Sequence, residues 1–412
     1  MAEALTPPER LALIKENIHE VLRPELIDDV VLHQSRPLKI YWGTATTGRP
    51  HCAYFVPIVK IAHFLRAGCA VKLLLADIHG FLDNLKAPIE LVAFRAKYYE
   101  YVVTSLLKSV NVPIEKLDFV MGSSYQLTSN YTMDLFRLSS KVTEHDAKKA
   151  GAEVVKQVEN ATLSGLLYPL MQALDEEYLG VDAQFGGVDQ RKIFTLAAEA
   201  LPRIGYKERA HLMNPMVPGL AGGKMSSSDP DSKIDVLDSE DVVKRKLKKA
   251  QAAPREVDGN GVISFVEYVL LPVDGLKSGG EGRFVVERKD QEPLVYTQMS
   301  QLKEDYAADV LTPQILKPAV TRALLDLLRP IQADYMANDE WQSIALKAYP
   351  PPEVKKKEKK IKNLGTKFPG AGMGVEVRPD GHVEGQKKSS VEVSTGVESA
   401  MKNLDTKSTE PA

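Results

Sequence analysis

The chain of 412 residues holds only two cysteines, Cys52 and Cys69. Two thiols build neither a disulfide framework nor a CxxC metal pattern, and such sparse usage fits a reducing compartment. No apolar run reaches the roughly 20 residues that a membrane helix needs. The first ten residues, Met-Ala-Glu-Ala-Leu-Thr-Pro-Pro-Glu-Arg, carry no apolar signal core. A cytoplasmic protein with no membrane contact is the expectation. The eight histidines are scattered without zinc-type spacing, so no protein-ligated metal is expected. A Walker A loop is also missing. In Gly222-Gly223-Lys224-Met225 the residue five before Gly223 is Pro218, and a methionine follows the lysine, which disfavours a P-loop kinase or GTPase.

Net charge is scarce as well, at −2. Its distribution is uneven: residues 351–412 hold twelve Lys/Arg against nine Asp/Glu, which leaves the rest of the chain acidic. That last stretch is rich in Gly, Ser, Thr, Glu and Lys and poor in large apolar groups, so it is expected to be disordered. The remainder has the apolar fraction of an ordinary globular protein, 44% over the whole chain, and is long enough for two or three domains.

Apolar periodicity supplies the elements. Pro8 to Leu22 reads as an amphipathic helix through Leu11, Ile14, Ile18 and Val21. Leu38 to Gly43 reads as a strand, Thr44 to Pro50 as a loop, Tyr54 to Leu65 as a helix and Ala70 to Asp77 as a buried strand. Strand, loop, helix, strand is a βαβ unit, and such units build parallel sheets that bind ligands at the strand C-termini. A helix over Leu91 to Leu107 and a strand over Leu117 to Met121 follow. Ser123 to about Asn160 turns helical and polar, as an insertion between two halves of a sheet. Leu163 to Tyr178 is a helix, Ala183-Gln184-Phe185 leads into a Gly-Gly turn, and Ile193 to Leu201 is helical again. From Ser239 to about Ala348 the chain is mostly helical, with one hairpin around Phe284-Val285-Val286 and Leu294-Val295-Tyr296.

Three places carry chemistry. In Thr46-Thr47-Gly48-Arg49-Pro50-His51-Cys52-Ala53-Tyr54 a strand ends and a helix opens. Backbone N–H groups at a helix start bind anions, and His51 adds a donor. Small residues at Cys52 and Ala53 let a flat base lie close. The plainer reading is a capping turn that uses Thr and Gly for geometry. In Gly222-Gly223-Lys224-Met225-Ser226-Ser227-Ser228 one cation sits among glycines and hydroxyls. That suits a clamp on a polyphosphate, or simply a flexible connector. On the Leu163 to Tyr178 helix, Tyr168, Gln172 and Asp175 stand at i, i+4 and i+7, within about 60° of one another. Such a stripe is either a solvated face or the polar wall of a small-molecule pocket. In the second case Asp175 accepts from a hydroxyl while Tyr168 and Gln172 hold an ammonium.

Taken together these segments carry a resemblance. The loop ending in His51-Cys52-Ala53-Tyr54 resembles the HIGH signature of class I aminoacyl-tRNA synthetases, and Lys224-Met225-Ser226-Ser227-Ser228 resembles their KMSKS loop. Tyr168-Pro169-Leu170-Met171-Gln172-Ala173-Leu174-Asp175, with Phe185 to Arg191 after it, is similar to the tyrosyl branch of eukaryotes and archaea. The likeness runs from about Leu38 to Tyr349. It implies an α/β fold: a Rossmann-like parallel-sheet catalytic domain over 1–230 with a helical insertion at about 123–160. A mostly α-helical anticodon-binding domain over 231–349 and the disordered Lys-rich extension 350–412 complete it.

The resemblance also implies the chemistry: activation of L-tyrosine by ATP, with Mg²⁺ accompanying the nucleotide, then transfer to tRNA(Tyr). Tyr41 and Asp175 would meet the phenol hydroxyl, and Tyr168, Gln172 and Gln190 the amino group. Thr46, Gly48, His51, Tyr54, Lys224, Met225, Ser226, Ser227 and Ser228 would meet ATP, with His51 and Lys224 directed at phosphate charge. The anticodon would be read near Glu287 and Arg288, no editing domain is expected, and a homodimer would form through the insertion. Two positions depart from the signatures. Ala53 and Tyr54 stand for the Gly and second His of HIGH, and Ser227 stands for the second lysine of KMSKS, as is usual in the eukaryotic branch. The basic runs Lys244 to Lys249 and Lys355 to Lys362 suit phosphate contacts, and the first also fits a nuclear import signal. A tryptophanyl-type synthetase, a non-catalytic RNA-binding paralogue and a nucleotidyltransferase with a HIGH-type site remain open as rivals.

Overall fold

The computed structural model describes residues 5–83, 88–155, 162–219 and 233–351. The Lys224 to Ser228 loop and the basic run Lys355 to Lys362 lie outside the described residues. The chain divides into two compact units, Met1–Pro350 and Pro351–Ala412. The 230/231 boundary expected from sequence falls inside the first of these.

The first unit is built on a six-stranded sheet. Its strands are β1 (Glu20–Leu22), β2 (Lys39–Ala45), β3 (Ala70–Ala76), β4 (Leu117–Met121), β5 (Ala183–Gly187) and β6 (Ala210–Asn214), in the spatial order β1-β6-β5-β2-β3-β4. Every pairing is parallel except β1 with β6. The chain runs outward from β2 to β3 and β4, then returns to place β5 on the other side of β2. The strand order therefore reverses between β2 and β5, in register Tyr41↔Gln184 and Trp42↔Phe185. A crevice opens at the C-terminal ends of strands at such a point.

The strands read as β2, β3 and β4 in sequence form within two residues of the expected ends: β2 and β3 are largely buried apolar runs, and β4 is a partly covered edge strand. Two others were not anticipated. β6 is Ala-His-Leu-Met-Asn, buried throughout, and its two polar residues hide a strand that carries no alternation. β1 lies inside what the periodicity made one helix from Pro8 to Leu22. That helix stops at Lys15, Asn17 takes a left-handed conformation (φ 55°), and the chain then joins the sheet edge. Asparagine tolerates that region better than most residues, so the helix ends there.

The helix Leu163–Tyr178 has the ends that its periodicity predicts. The insertion forms the helices Ser123–Gln126, Ser129–Ser139 and Glu144–Ala150. In the C-terminal half, β7 (Phe284–Arg288) and β8 (Gln291–Tyr296) make the expected antiparallel hairpin. The helices Pro313–Met336 and Asp339–Ala348 follow it. One apolar core runs from Ile14 and Phe64 beside the sheet to Leu328 and Trp341 in these last helices. The helical half thus shares a core with the sheet.

Candidate active site

A cavity of about 420 Å³ opens at the crevice between β2 and β5. Tyr41 to Ala45 of β2 and Phe185 to Gly187 of β5 form its floor, and the Leu163–Tyr178 helix gives one wall. Tyr41, His51, Tyr54, Tyr168, Gln172, Asp175 and Gln190, expected from sequence to act together, all line it. Thr46 and Gly48 are not among the lining residues, although their neighbours Thr47 and Arg49 are. Ala53 lines the cavity while Cys52 turns into the core. Burial pushes the Cys52 and Cys69 thiols up to about 12.

The polar stripe is not a solvated face. Tyr168, Gln172 and Asp175 are all buried, Asp175 completely. Asp175 Oδ1 accepts three hydrogen bonds: from Tyr125 Oη at 2.8 Å, Gln126 Nε2 at 2.8 Å and Tyr131 Oη at 3.0 Å. Its other oxygen, Oδ2, has no hydrogen-bond partner among the described residues. His79 Nε2 is 3.8 Å from it, too long for a hydrogen bond. Burial pulls His79 down to about 4, so it stands there as a neutral neighbour. Burial pushes Asp175 up to about 7 against the pull of its three donors. It also raises the Tyr41 hydroxyl well above its ordinary value, with the charges of Asp175 and Glu176 adding to the shift. That hydroxyl makes only a long 3.4 Å bond, to the Gln172 carbonyl. Two residues that line this end of the cavity thus carry one carboxylate oxygen without a hydrogen-bond partner and one weakly engaged hydroxyl.

A few ångströms along the same helix, Gln172 Nε2 donates to Gln190 Oε1 at 3.2 Å. Gln190 reaches Gln172 because Gly186 leaves room for it. A Cβ at Gly186 would lie 2.9 Å from Phe194 Cζ and 3.1 Å from Gln190 Cγ. Behind this wall, Glu176 and His211 form a completely buried pair at 2.8 Å. That pair explains why β6 tolerates a histidine.

At the opposite end stands the loop between β2 and the Phe55–Arg66 helix. Thr46 is fully buried, and a Cβ on Gly80 would come within 3.0 Å of its hydroxyl. Two phenols hold the Gly48 carbonyl, Tyr99 at 2.5 Å and Tyr349 at 3.0 Å. Thr44 Oγ1 and Tyr54 Oη lie 2.9 Å apart. His51 pairs as a short bridge with Asp235, and its Nδ1 has no partner among the described residues. Burial, aided by the Lys233 charge, pulls His51 down to about 4. The ring is therefore neutral at pH 7 and can give a hydrogen bond but no net charge. Among the described residues no group of three His, Cys, Asp or Glu could hold a metal ion.

Sequence reasoning missed Tyr125, Gln126 and Tyr131. They lie in the insertion, 44 to 50 residues before the carboxylate they serve, and no local spacing marks them. Elsewhere, Glu287 and Arg288 sit on β7, where Arg288 Nε donates to the Glu292 carbonyl at 2.7 Å. The run Lys244 to Lys249 lies on the helix Glu240–Lys249. Lys244 pairs with Glu240, Lys246 pairs with Asp238, and Leu247 is buried. No helix among the described residues is long and apolar enough to cross a membrane.

The model of the family described as tRNA synthetases class I (W and Y) matches residues 33–329. The chain is 56% identical over 376 residues to the cytoplasmic tyrosine–tRNA ligase of Saccharomyces cerevisiae, over 90% of this chain and 95% of that one. It is 55% identical over 358 residues to the cytoplasmic tyrosine–tRNA ligase of Danio rerio, covering 86% of this chain but 66% of the longer fish protein. Among solved structures, the tyrosyl-tRNA synthetase of Archaeoglobus fulgidus complexed with L-tyrosine is similar at a TM-score of 0.73 and 34% identity. That match covers 80% of this chain and 99% of the other.

Proposed function

The chain belongs to the class I tRNA synthetases of the tryptophan and tyrosine group, and from that premise we propose that it is a tyrosine–tRNA ligase. The reading rests above all on Asp175. Its Oδ1 is filled by three donors, and its Oδ2 is buried at the cavity without a partner. A phenol hydroxyl can donate to that oxygen and accept from Tyr41 in one contact. An indole N–H only donates and leaves the Tyr41 hydroxyl unanswered. Phenylalanine answers neither, and an unpaired buried polar group costs about 1–3 kcal/mol, more when charged. Tyr168, Gln172 and Gln190 then take the amino group. Because Gln172 gives its N–H to Gln190, its oxygen is left to accept from an ammonium.

The reaction has two steps. A carboxylate oxygen of tyrosine attacks the α-phosphorus of ATP, the α–β anhydride bond breaks, and pyrophosphate leaves. A hydroxyl of the terminal ribose of tRNA then attacks the acyl carbon, and AMP leaves. The carboxylate is already a nucleophile, so activation needs alignment and charge stabilisation more than a protein base. His51 serves as a neutral hydrogen-bond donor to phosphate, with Thr46, Gly48 and Tyr54 shaping the nucleotide loop. Lys224 supplies the cation, and Met225, Ser226, Ser227 and Ser228 complete its loop. Mg²⁺ arrives with the triphosphate.

Around this centre, the helical region 231–349 is the anticodon-binding part, with Glu287 and Arg288 on its hairpin. The exposed Arg245, Lys248 and Lys249 suit tRNA phosphates. They suit a nuclear import signal less well, because the run is interrupted by the buried Leu247 and the paired Lys246. A homodimer forms through the insertion, where Leu127, Met133 and Phe136 are each more than half exposed. Large apolar groups clustered at the surface mark an interface. The test is ATP–pyrophosphate exchange with tyrosine, phenylalanine and tryptophan. Exchange driven by tyrosine alone is expected. Exchange driven by tryptophan, or none with any amino acid, would overturn the reading.

A further inference from the structure

The first unit ends where it touches its own nucleotide loop. Tyr349 follows the last helix, Asp339–Ala348, some 300 residues after that loop. Its hydroxyl donates to the Gly48 carbonyl at 3.0 Å and the Thr47 carbonyl at 3.3 Å. A backbone carbonyl has two lone pairs. With Tyr99 and Tyr349 both on the Gly48 oxygen, the peptide that follows cannot turn freely. The same Tyr349 ring lies 5.1 Å from the Arg49 guanidinium carbon, and the Tyr98 ring lies 5.9 Å from it. The two rings meet edge-on at 5.2 Å and 77°. On the outer side the Arg95 guanidinium carbon is 5.1 Å from the Tyr349 ring, and Arg95 Nε donates to the Ala348 carbonyl at 3.2 Å. The helix end is thereby fixed in turn.

Aromatic faces hold a cation without neutralising it. Arg49 lines the cavity and makes no ion pair within 4.0 Å among the described residues, although the buried Asp235 carboxyl feels its charge from farther away. Its planar set of N–H donors is suited to phosphate oxygens. We propose that Tyr349 is a positioning residue for ATP: it pins the Thr47 and Gly48 carbonyls and presents Arg49 as a phosphate-directed cation at the cavity wall. The inference rests on the ligase reading above. The network continues inward from Gly48 through Tyr99 and Tyr54 to Thr44 on the cavity floor. The end of the helical region therefore bears on the nucleotide end of the site, while the contacts of Asp175 are made by other segments.

The experiment is tyrosine-dependent pyrophosphate exchange on the full chain, with KM for ATP and for tyrosine measured separately. Tyr349→Phe keeps the ring and loses the hydroxyl. Its kcat/KM for ATP should fall about 3- to 10-fold, the net size of one hydrogen bond. Tyr349→Leu also loses the ring and should fall further, about 10- to 30-fold, as a cation–π contact is added to the loss. KM for tyrosine should stay unchanged in both. Arg49→Gln should lower the ATP parameter similarly, and the Arg49→Gln/Tyr349→Leu double variant should fall short of the product of the two, because the residues act as one unit. Equal loss in the ATP and tyrosine parameters, a fully multiplicative double variant, or unaltered kinetics in Tyr349→Leu would each overturn the assignment. A wild-type chain with no tyrosine-dependent exchange would contradict the ligase reading itself. A fully active wild type with an indifferent Tyr349→Leu would contradict only the role given to Tyr349.

Discussion

The two ends of the cavity are built differently. The amino-acid end rests on regular elements: β2, the Leu163–Tyr178 helix and the helices of the insertion. Its carboxylate is completely buried, and Tyr125, Gln126 and Tyr131 hold one of its oxygens through bonds of 2.8 to 3.0 Å. The nucleotide end is a loop whose carbonyls are tied down by Tyr99 and Tyr349 from distant segments, and its histidine is neutral. The comparison teaches a division of labour. On the proposed reading, selectivity falls to buried side chains already held by hydrogen bonds, because a misplaced buried acceptor is costly. On the same reading, charge stabilisation falls to backbone and side chains of a loop that Tyr99 and Tyr349 hold in place.

Substitutions at the two ends should therefore fail in different ways. The largest effect is expected at Lys224. Lys224→Ala should lower the exchange kcat by about 10²–10³-fold, the usual size for a transition-state contact, with tyrosine affinity in equilibrium dialysis unaltered. A rise in tyrosine Kd of the same size would break the division. The pH dependence sharpens it next. Burial pushes the Asp175 carboxyl up to about 7 in the free protein, and a phenol hydroxyl bonds more strongly to the ionised form than to the neutral acid. Tyrosine affinity should therefore be full above pH 7 and decline below it by up to about tenfold per pH unit, as one proton is released per ligand bound. A flat profile from pH 5.5 to 8 would show that the carboxylate keeps its charge state on binding.

His51 should matter less and without pH dependence. Since its pKa lies near 4, it is already neutral at pH 6. His51→Gln, which can still donate, should retain about tenfold more exchange activity than His51→Ala, the net size of one hydrogen bond. Equal losses in the two variants would point to packing against Tyr54, whose ring lies 5.7 Å away, in place of donation.

Much of this was legible in the sequence, and what was not has physical reasons. The stripe Tyr168, Gln172 and Asp175 could be read because helical spacing alone puts the three on one side. β2 and β3 could be read because a strand buried on both faces is a continuous apolar run. β6 could not, since His211 makes sense only once Glu176 meets it at 2.8 Å, and that partner lies 35 residues earlier. Tyr125 and Tyr131 were likewise hidden in an insertion that looked merely polar. Tyr349 was read as the end of a domain, and nothing in its neighbourhood points to Gly48. Periodicity reports which face an element buries; it is silent on which distant group that face will meet.

The smallest effect lies outside both ends of the cavity. Deleting residues 351–412 removes a net charge of +3. It should flatten the salt dependence of tRNA binding while leaving pyrophosphate exchange as it was.

On the proposed reading, the unpaired oxygen of Asp175 selects a phenol. Asp175→Asn keeps a carbonyl oxygen for Tyr125, Gln126 and Tyr131, but turns an N–H₂ toward the ligand. The direct measurement is kcat/KM in pyrophosphate exchange for tyrosine and for phenylalanine, in the wild type and in this variant. The ratio of the two should fall by about 10²-fold or more, the loss of a buried charge-assisted hydrogen bond, with KM for ATP little changed. An undiminished ratio would contradict the claim.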